Sequence, residues 1–149
     1  MDFERWLDEV ATERARLNRD VKALVDGHWQ TLLQVNAAAR EARQKWRYQP
    51  RMVLNRSGAF SVVWEEPHFG PHPEQPLRSA VVAKSYVRRP KTGMTSAQFP
   101  KAGEGEWPAI AALEAALEIH VERREALAVI SRNVIGATRK WRALEGRRE

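Results

Sequence analysis

The first 49 residues of the chain contain no proline, and along them apolar side chains return at helical spacing: Phe3, Leu7, Val10, Leu17, Val21 and Leu24, then His28, Leu32 and Val35. Such a period writes an amphipathic helix. Gly27 lies inside it and costs ~1 kcal/mol relative to Ala, so a bend or break between two helical pieces is expected there. Pro50 ends the stretch, because it biases the residue before it away from helix. The helical region therefore reads as 1–49.

From Arg51 the period changes to two. Met52-Val53-Leu54, the turn Asn55-Arg56-Ser57-Gly58 and Ala59 to Trp64 read as a β-hairpin, with Gly58 able to supply a positive φ. Four prolines, Pro67, Pro71, Pro73 and Pro76, mark the next piece as a loop. A third strand follows from about Ser79 to Arg89, ended by Pro90. Alternation puts Arg78, Val82, Lys84, Tyr86 and Arg88 on one face and Val81, Ala83, Val87 and Arg89 on the other, one of them core. The sheet region is 50–90, and 91–105 is a second long connection.

Trp107-Pro108 opens the last element, since proline fits the first helical position. Ile110, Leu113, Leu117, Val121, Leu127, Val134 and Trp141 then keep a repeat of 3.5 to 3.6 over 106–145. A straight helix from 108 to about 144 would be ~55 Å long, against about 38 Å for a compact sphere of 149 residues, so either the molecule is elongated or the helix bends near Gly136. The expected fold is a single α+β domain: a small antiparallel three-stranded sheet flanked by long N- and C-terminal amphipathic helices in the order α-β-β-β-α.

The net charge of +6 is unevenly spread. Between Arg40 and Lys101, twelve basic residues face four acidic ones, while the rest of the chain sums to −2. A polyanion is the natural partner of such a segment, and nucleic acid is the commonest. The candidate phosphate contacts are Arg40, Arg43 and Arg47, one stripe if the first helix runs to residue 47, then Arg51, Arg78, Lys84, Tyr86, Arg88, Arg89 and Lys91. Cations interleaved with an aromatic suit phosphates and bases. The plainer reading is a solvated sheet face whose long side chains cover the core. Trp46 invites a stacking role, though most of the six tryptophans should be core.

Chemistry has little to work with. The chain has no cysteine, which removes disulfides, thiolate metal sites and cysteine nucleophiles. His28 and His120 fall on apolar stripes and read as buried, hydrogen-bonded histidines. His68 and His72 share a proline-rich loop that does not hold them for a metal, and no phosphate-cradling glycine loop is present. A metal-dependent nuclease on Glu65, Glu66 and His68 is the enzymatic alternative, but the Lys or His at fixed spacing that would complete it is missing. The expectation is no catalytic activity, cofactor or metal. Asp2, Glu4 and Arg5 spoil a signal peptide, no stretch is long enough to span a membrane, and the cytoplasm is the expected location.

The whole layout resembles the MobI family of conjugative-transfer proteins over roughly residues 20–141. The resemblance is carried by Ala-Leu-Val-Asp-Gly-His-Trp-Gln (23–30), Asn36-Ala37-Ala38-Ala39-Arg40, the hairpin ending in Val63-Trp64, Ser85-Tyr86-Val87-Arg88-Arg89, and Trp107 leading to a helix with Glu114, Glu118, Arg123 and Arg124. It implies a non-catalytic DNA-binding accessory protein that acts at an origin of transfer beside a separate relaxase. The helical pair would offer a surface to the relaxase or to a second copy. The alternative without nucleic acid is a helical protein-interaction module whose basic sheet face meets an acidic protein.

Overall fold

The computed structural model describes residues 1–147. The N-terminal helix α1 runs unbroken over Phe3–Ala38, capped by the Asp2 carboxylate, which accepts from the Arg5 N–H at 3.0 Å. Gly27 neither bends nor breaks it. Val25, buried His28 and Leu32 pack on either side of the glycine, and their burial outweighs its propensity cost. The helix stops at Ala38, short of the expected residue 49, and the chain turns through a short 3-10 segment at Ala42–Gln44.

Strands β1 (Gln49–Leu54), β2 (Phe60–Pro71) and β3 (Ser79–Tyr86) form an antiparallel sheet in the order β1-β2-β3. The Asn55 side chain builds the first turn by accepting from the N–H groups of Ser57 and Ala59, and Gly58 takes φ 82°. β1 pairs with β2 from Phe60 to Glu65, whereas β3 pairs with it from Glu65 to Pro71. The sheet is therefore stepped, and its outer half is a two-stranded ribbon.

The first part of the expected loop at 67–73, residues 67–71, belongs to β2. Val87 donates to the Trp64 carbonyl and His72 to the Arg78 carbonyl, which makes the even-numbered residues of β2 the ones that exchange bonds with β3. Pro67 and Pro71 thus face the edge that β1 has already left, where a missing N–H forfeits no ladder bond. A bulge at Val82, between the pairs His68↔Ala83 and Phe69↔Val81, twists the ribbon. β3 ends at Tyr86 rather than Arg89, and every residue in it except Ala80 is exposed, so the expected core face is missing over most of its length. Only Val87, just beyond it, packs against the core.

The C-terminal helix α2 spans Glu106–Gly146 without a break at Gly136. At 1.5 Å per residue α1 and α2 are about 54 and 62 Å long, so the molecule is elongated. The helices pair antiparallel, Leu17 lying near Leu127 and Phe3 near Trp141. Where the sheet joins them the core closes: Leu17, Val21 and Val25 from α1, Phe60, Val62 and Trp64 from β2, and Ile110, Leu113 and Leu117 from α2, with Tyr48 and Phe99 between. Trp46 belongs to this region too, buried, its indole N–H donating to the Glu104 carbonyl.

The most demanding group in the core is Glu106, in the first turn of α2 and wholly buried. Its Oε1 accepts from the N–H groups of Arg47 and Gly103, and its Oε2 from those of Arg47 and Tyr48, at 2.8 to 3.0 Å. Burial raises this carboxyl above its ordinary pKa, while the backbone donors of Tyr48, Arg47 and Gly103 oppose the rise. Gly103 lets the strap approach, since a Cβ there would stand 2.1 Å from the Lys45 carbonyl oxygen. Glu106→Ala should lower the free energy of unfolding by about 3 kcal/mol or more in urea denaturation, because three buried N–H groups lose their acceptor.

His28 sits between Trp46 and Trp64, its ring 5.1 Å from the latter, and its Nε2 has no hydrogen-bond partner, contrary to the expected bonded histidine. Burial lowers its pKa. The unfolded chain then binds the proton more readily, so the stability due to a neutral His28 is complete above the unfolded value of about 6.5 and is lost as the pH falls through the folded one. Melting temperature should decline below that point, and His28→Phe should flatten this part of the profile.

Candidate nucleic-acid interface

One face of the sheet carries Phe60, Val62 and Trp64 into the core, and the opposite, outward face borders a flank of α1 across a groove. On the outward face Gln49, Glu65 and Tyr86 stand in register, Arg51 opposes Val63 and Lys84 opposes Pro67. Glu65 is buried at their centre, only 2% exposed. It binds the Arg51 guanidinium and lies 3.4 Å from the Lys84 ammonium. Arg51 also donates to the Tyr86 hydroxyl at 3.1 Å, and its guanidinium carbon lies 5.9 Å from the centre of the Tyr86 ring. The carboxylate raises the pKa of Arg51.

One acid between two cations leaves this cluster net positive. It also fixes their direction. An arginine has five N–H donors and a lysine three, and Glu65 and Tyr86 occupy only some of them, so the remainder stay with the half-exposed ends of both side chains. Tyr86 itself is well exposed and offers a ring face.

Two grooves adjoin the cluster and share Gln49 in their walls. The larger, about 530 Å³, lies between α1 and the sheet, where Arg19, Lys22, Asp26 and Trp29 face Arg51 and Lys84. The smaller, about 300 Å³, carries Lys45, Trp46 and Arg47 on one side and Pro67 and Phe69 of the ribbon on the other. Six cations and two carboxylates line the pair. Lys22 is held by Asp26 at 2.6 Å, but among the described residues Arg19, Lys45 and Arg47 have no carboxylate within 4 Å.

Of the residues expected from the sequence, Arg47, Arg51, Lys84 and Tyr86 come together here. Others are spent elsewhere. Arg43 binds Glu41 and Glu104 at 2.6 and 2.5 Å, tying down the segment after α1. Arg89 turns to the helix side, where it meets Glu114 at 2.8 Å and the Val62 carbonyl. Lys101 pairs with Glu66 at 3.2 Å. The Arg40, Arg43 and Arg47 stripe does not form, because α1 has ended before it. Arg78 stands in the turn at the ribbon tip, while Arg88 and Lys91 are exposed on the segment after β3. The basic residues between Arg40 and Lys101 thus do not form one continuous platform.

Arg19, Lys22 and Lys45 were not among the expected contacts. The signal for the first two was present, since Arg19, Lys22, Asp26 and Trp29 follow one another at helical spacing along one flank of α1. Glu65 and Glu66, neighbours in a strand, point to opposite faces and bind different cations, and among the described residues no three His, Asp or Glu side chains gather as a metal would need. His72 serves its turn, its Nδ1 accepting from the N–H groups of Glu74 and Gln75. Among the described residues no helix is long and apolar enough to cross a membrane. Comparison of the chain with protein-family models, with curated proteins and with solved structures finds no match.

Proposed function

We propose that this chain is a non-catalytic DNA-binding protein that docks on duplex phosphates through the outward sheet face. The observation that carries the reading is the excess of six cations over two carboxylates around two adjoining grooves, three of those cations having no carboxylate of their own among the described residues. Phosphate oxygens are the ligands that such a rim lacks. Glu65 keeps Arg51 and Lys84 in place, so little side-chain freedom is lost when they dock. Tyr86 and Phe69 add exposed rings beside the cations, the combination that stacks on sugars or splayed bases. The resemblance to the MobI family supports the finer reading, an accessory role at an origin of transfer with a separate relaxase performing the cleavage. Cytoplasmic location belongs to the same reading.

Neutralising about six phosphates releases their counterions, so log K should fall against log salt with a slope of about −5, roughly a thousandfold between 50 and 200 mM. Fluorescence anisotropy with a labelled duplex reads this directly. A flat salt response would remove the electrostatic basis of the proposal. Arg19→Glu combined with Lys45→Glu, both exposed and without ion-pair partners, should cost at least tenfold in affinity at low salt and leave the circular dichroism unchanged. Arg56→Glu, in the turn between β1 and β2, should bind as wild type.

A further inference from the structure

Helix α2 carries a second apolar stripe. Over its last thirty residues the face toward α1 is partly covered, yet Ile119, Ile130, Trp141 and Leu144 are 40% or more exposed. With Ala126 and Ala137 they recur at intervals of seven, four, seven, four and three residues, the eleven-residue repeat of a coiled-coil seam, interrupted on this face by Arg123 and Asn133. At 100° per residue Ile119 and Ile130 stand about 100° to 160° around α2 from Leu113 and Leu117, which face the core. Among the described residues the outer side of the seam is uncovered, while at its edge toward α1 Ala126 lies near Leu17 and Trp141 near Phe3.

The charges on the same helix say what can. From residue 106 to 126, α2 holds five glutamates and two arginines, whereas from 127 to 146 it holds four lysines and arginines and one glutamate. A parallel partner of the same sequence would set like against like. An antiparallel one sets each half against its opposite. Glu122 and Lys140 flank the seam on one side, and among the described residues neither has an ion-pair partner, even though α1 runs alongside.

From the seam and this complementarity we infer that two copies of the chain pair antiparallel through the outer face of α2, with the two-fold axis crossing near Ile130. Residues equally far from the axis then meet. Ile119 packs on Trp141 of the second copy and Ile130 on its own equivalent, while Glu122 comes within one helical turn of Lys140. The interface is isologous and closed, so it stops at a dimer. It shares no residue with the outward sheet face, and it stands or falls independently of nucleic-acid binding.

Sedimentation equilibrium of the full chain should give the mass of two chains, dissociating on dilution. Ile130→Glu should yield a monomer. Should that variant lose helical circular dichroism, two surface tests decide. Glu122→Lys and Lys140→Glu should each weaken dimerisation about tenfold, because each alters two symmetric contacts, and the double variant should recover wild-type affinity. Because the natural chain has no cysteine, Ile130→Cys should link two copies by a disulfide under mild oxidation, and Leu33→Cys, exposed on α1, should not. A wild-type chain that stays monomeric at every concentration overturns the inference. So does a dimer that survives Ile130→Glu, a double charge reversal that fails to recover, or cross-linking at Leu33 and not at Ile130.

Discussion

A buried carboxylate holds the ends of this fold together. Glu106 stands where α2 begins, and the N–H groups that it accepts belong to the lead into β1 and to the strap before α2 itself. Segments nearly sixty residues apart are thereby joined at one point. The chain leaving α1 has no helical bonds to offer after Ala38, and a buried backbone without partners is costly. An apolar residue at 106 would leave Arg47, Tyr48 and Gly103 without acceptors, so a charge in the core is the less costly arrangement here. Once Tyr48 is fixed its ring packs edge-on against Phe99, and the aromatic layer with Trp64 follows.

The same principle operates on the outward face with a different result. Glu65 is as buried as a core residue but is paired with two cations whose ends are half exposed. In the first case a carboxylate organises backbone, and in the second it organises charge. Withdrawing Arg51 and Lys84 toward a ligand would strip Glu65 of its partners, and an unpaired buried carboxylate is strongly disfavoured. Any anion on this face must therefore be met by donors that these cations keep spare, together with Arg19, Lys45 and Arg47. The site is built for contact without rearrangement.

Local rules explain what was legible in the sequence. The helical period of α1, the hairpin around Gly58 and the Trp107-Pro108 start of α2 are each written within a few residues, and the α-β-β-β-α order follows from them. Proline at 67 and 71 was misleading for a specific reason: the edge it faces is decided by where β1 ends, which is a tertiary fact. The end of α1 at Ala38 has a similar origin. Asn36 accepts from the Trp46 N–H and donates to its carbonyl, drawing back a chain whose own composition permits more helix. The candidate site was half legible, as Lys84 and Tyr86 share a strand face by alternation. That Arg43 would be taken by Glu104, and Arg89 by Glu114, depends on partners that no local pattern reveals.

The stepped sheet also shapes what α2 must do. β1 and the first half of β2 cover only the stretch of α2 near Ile110 to Leu117, where side chains are fully buried. Past Arg124, which still donates to the Phe60 carbonyl, α1 is its neighbour among the described residues, and no described α2 residue beyond Leu117 is fully buried. A helix with one partner needs one apolar stripe, and α2 carries two. The surplus lies in the half that the sheet does not reach, where a helix polar on its outer side would have been the simpler solution. In the inferred dimer a third apolar surface against α2 would cover the stripe that the small sheet does not reach.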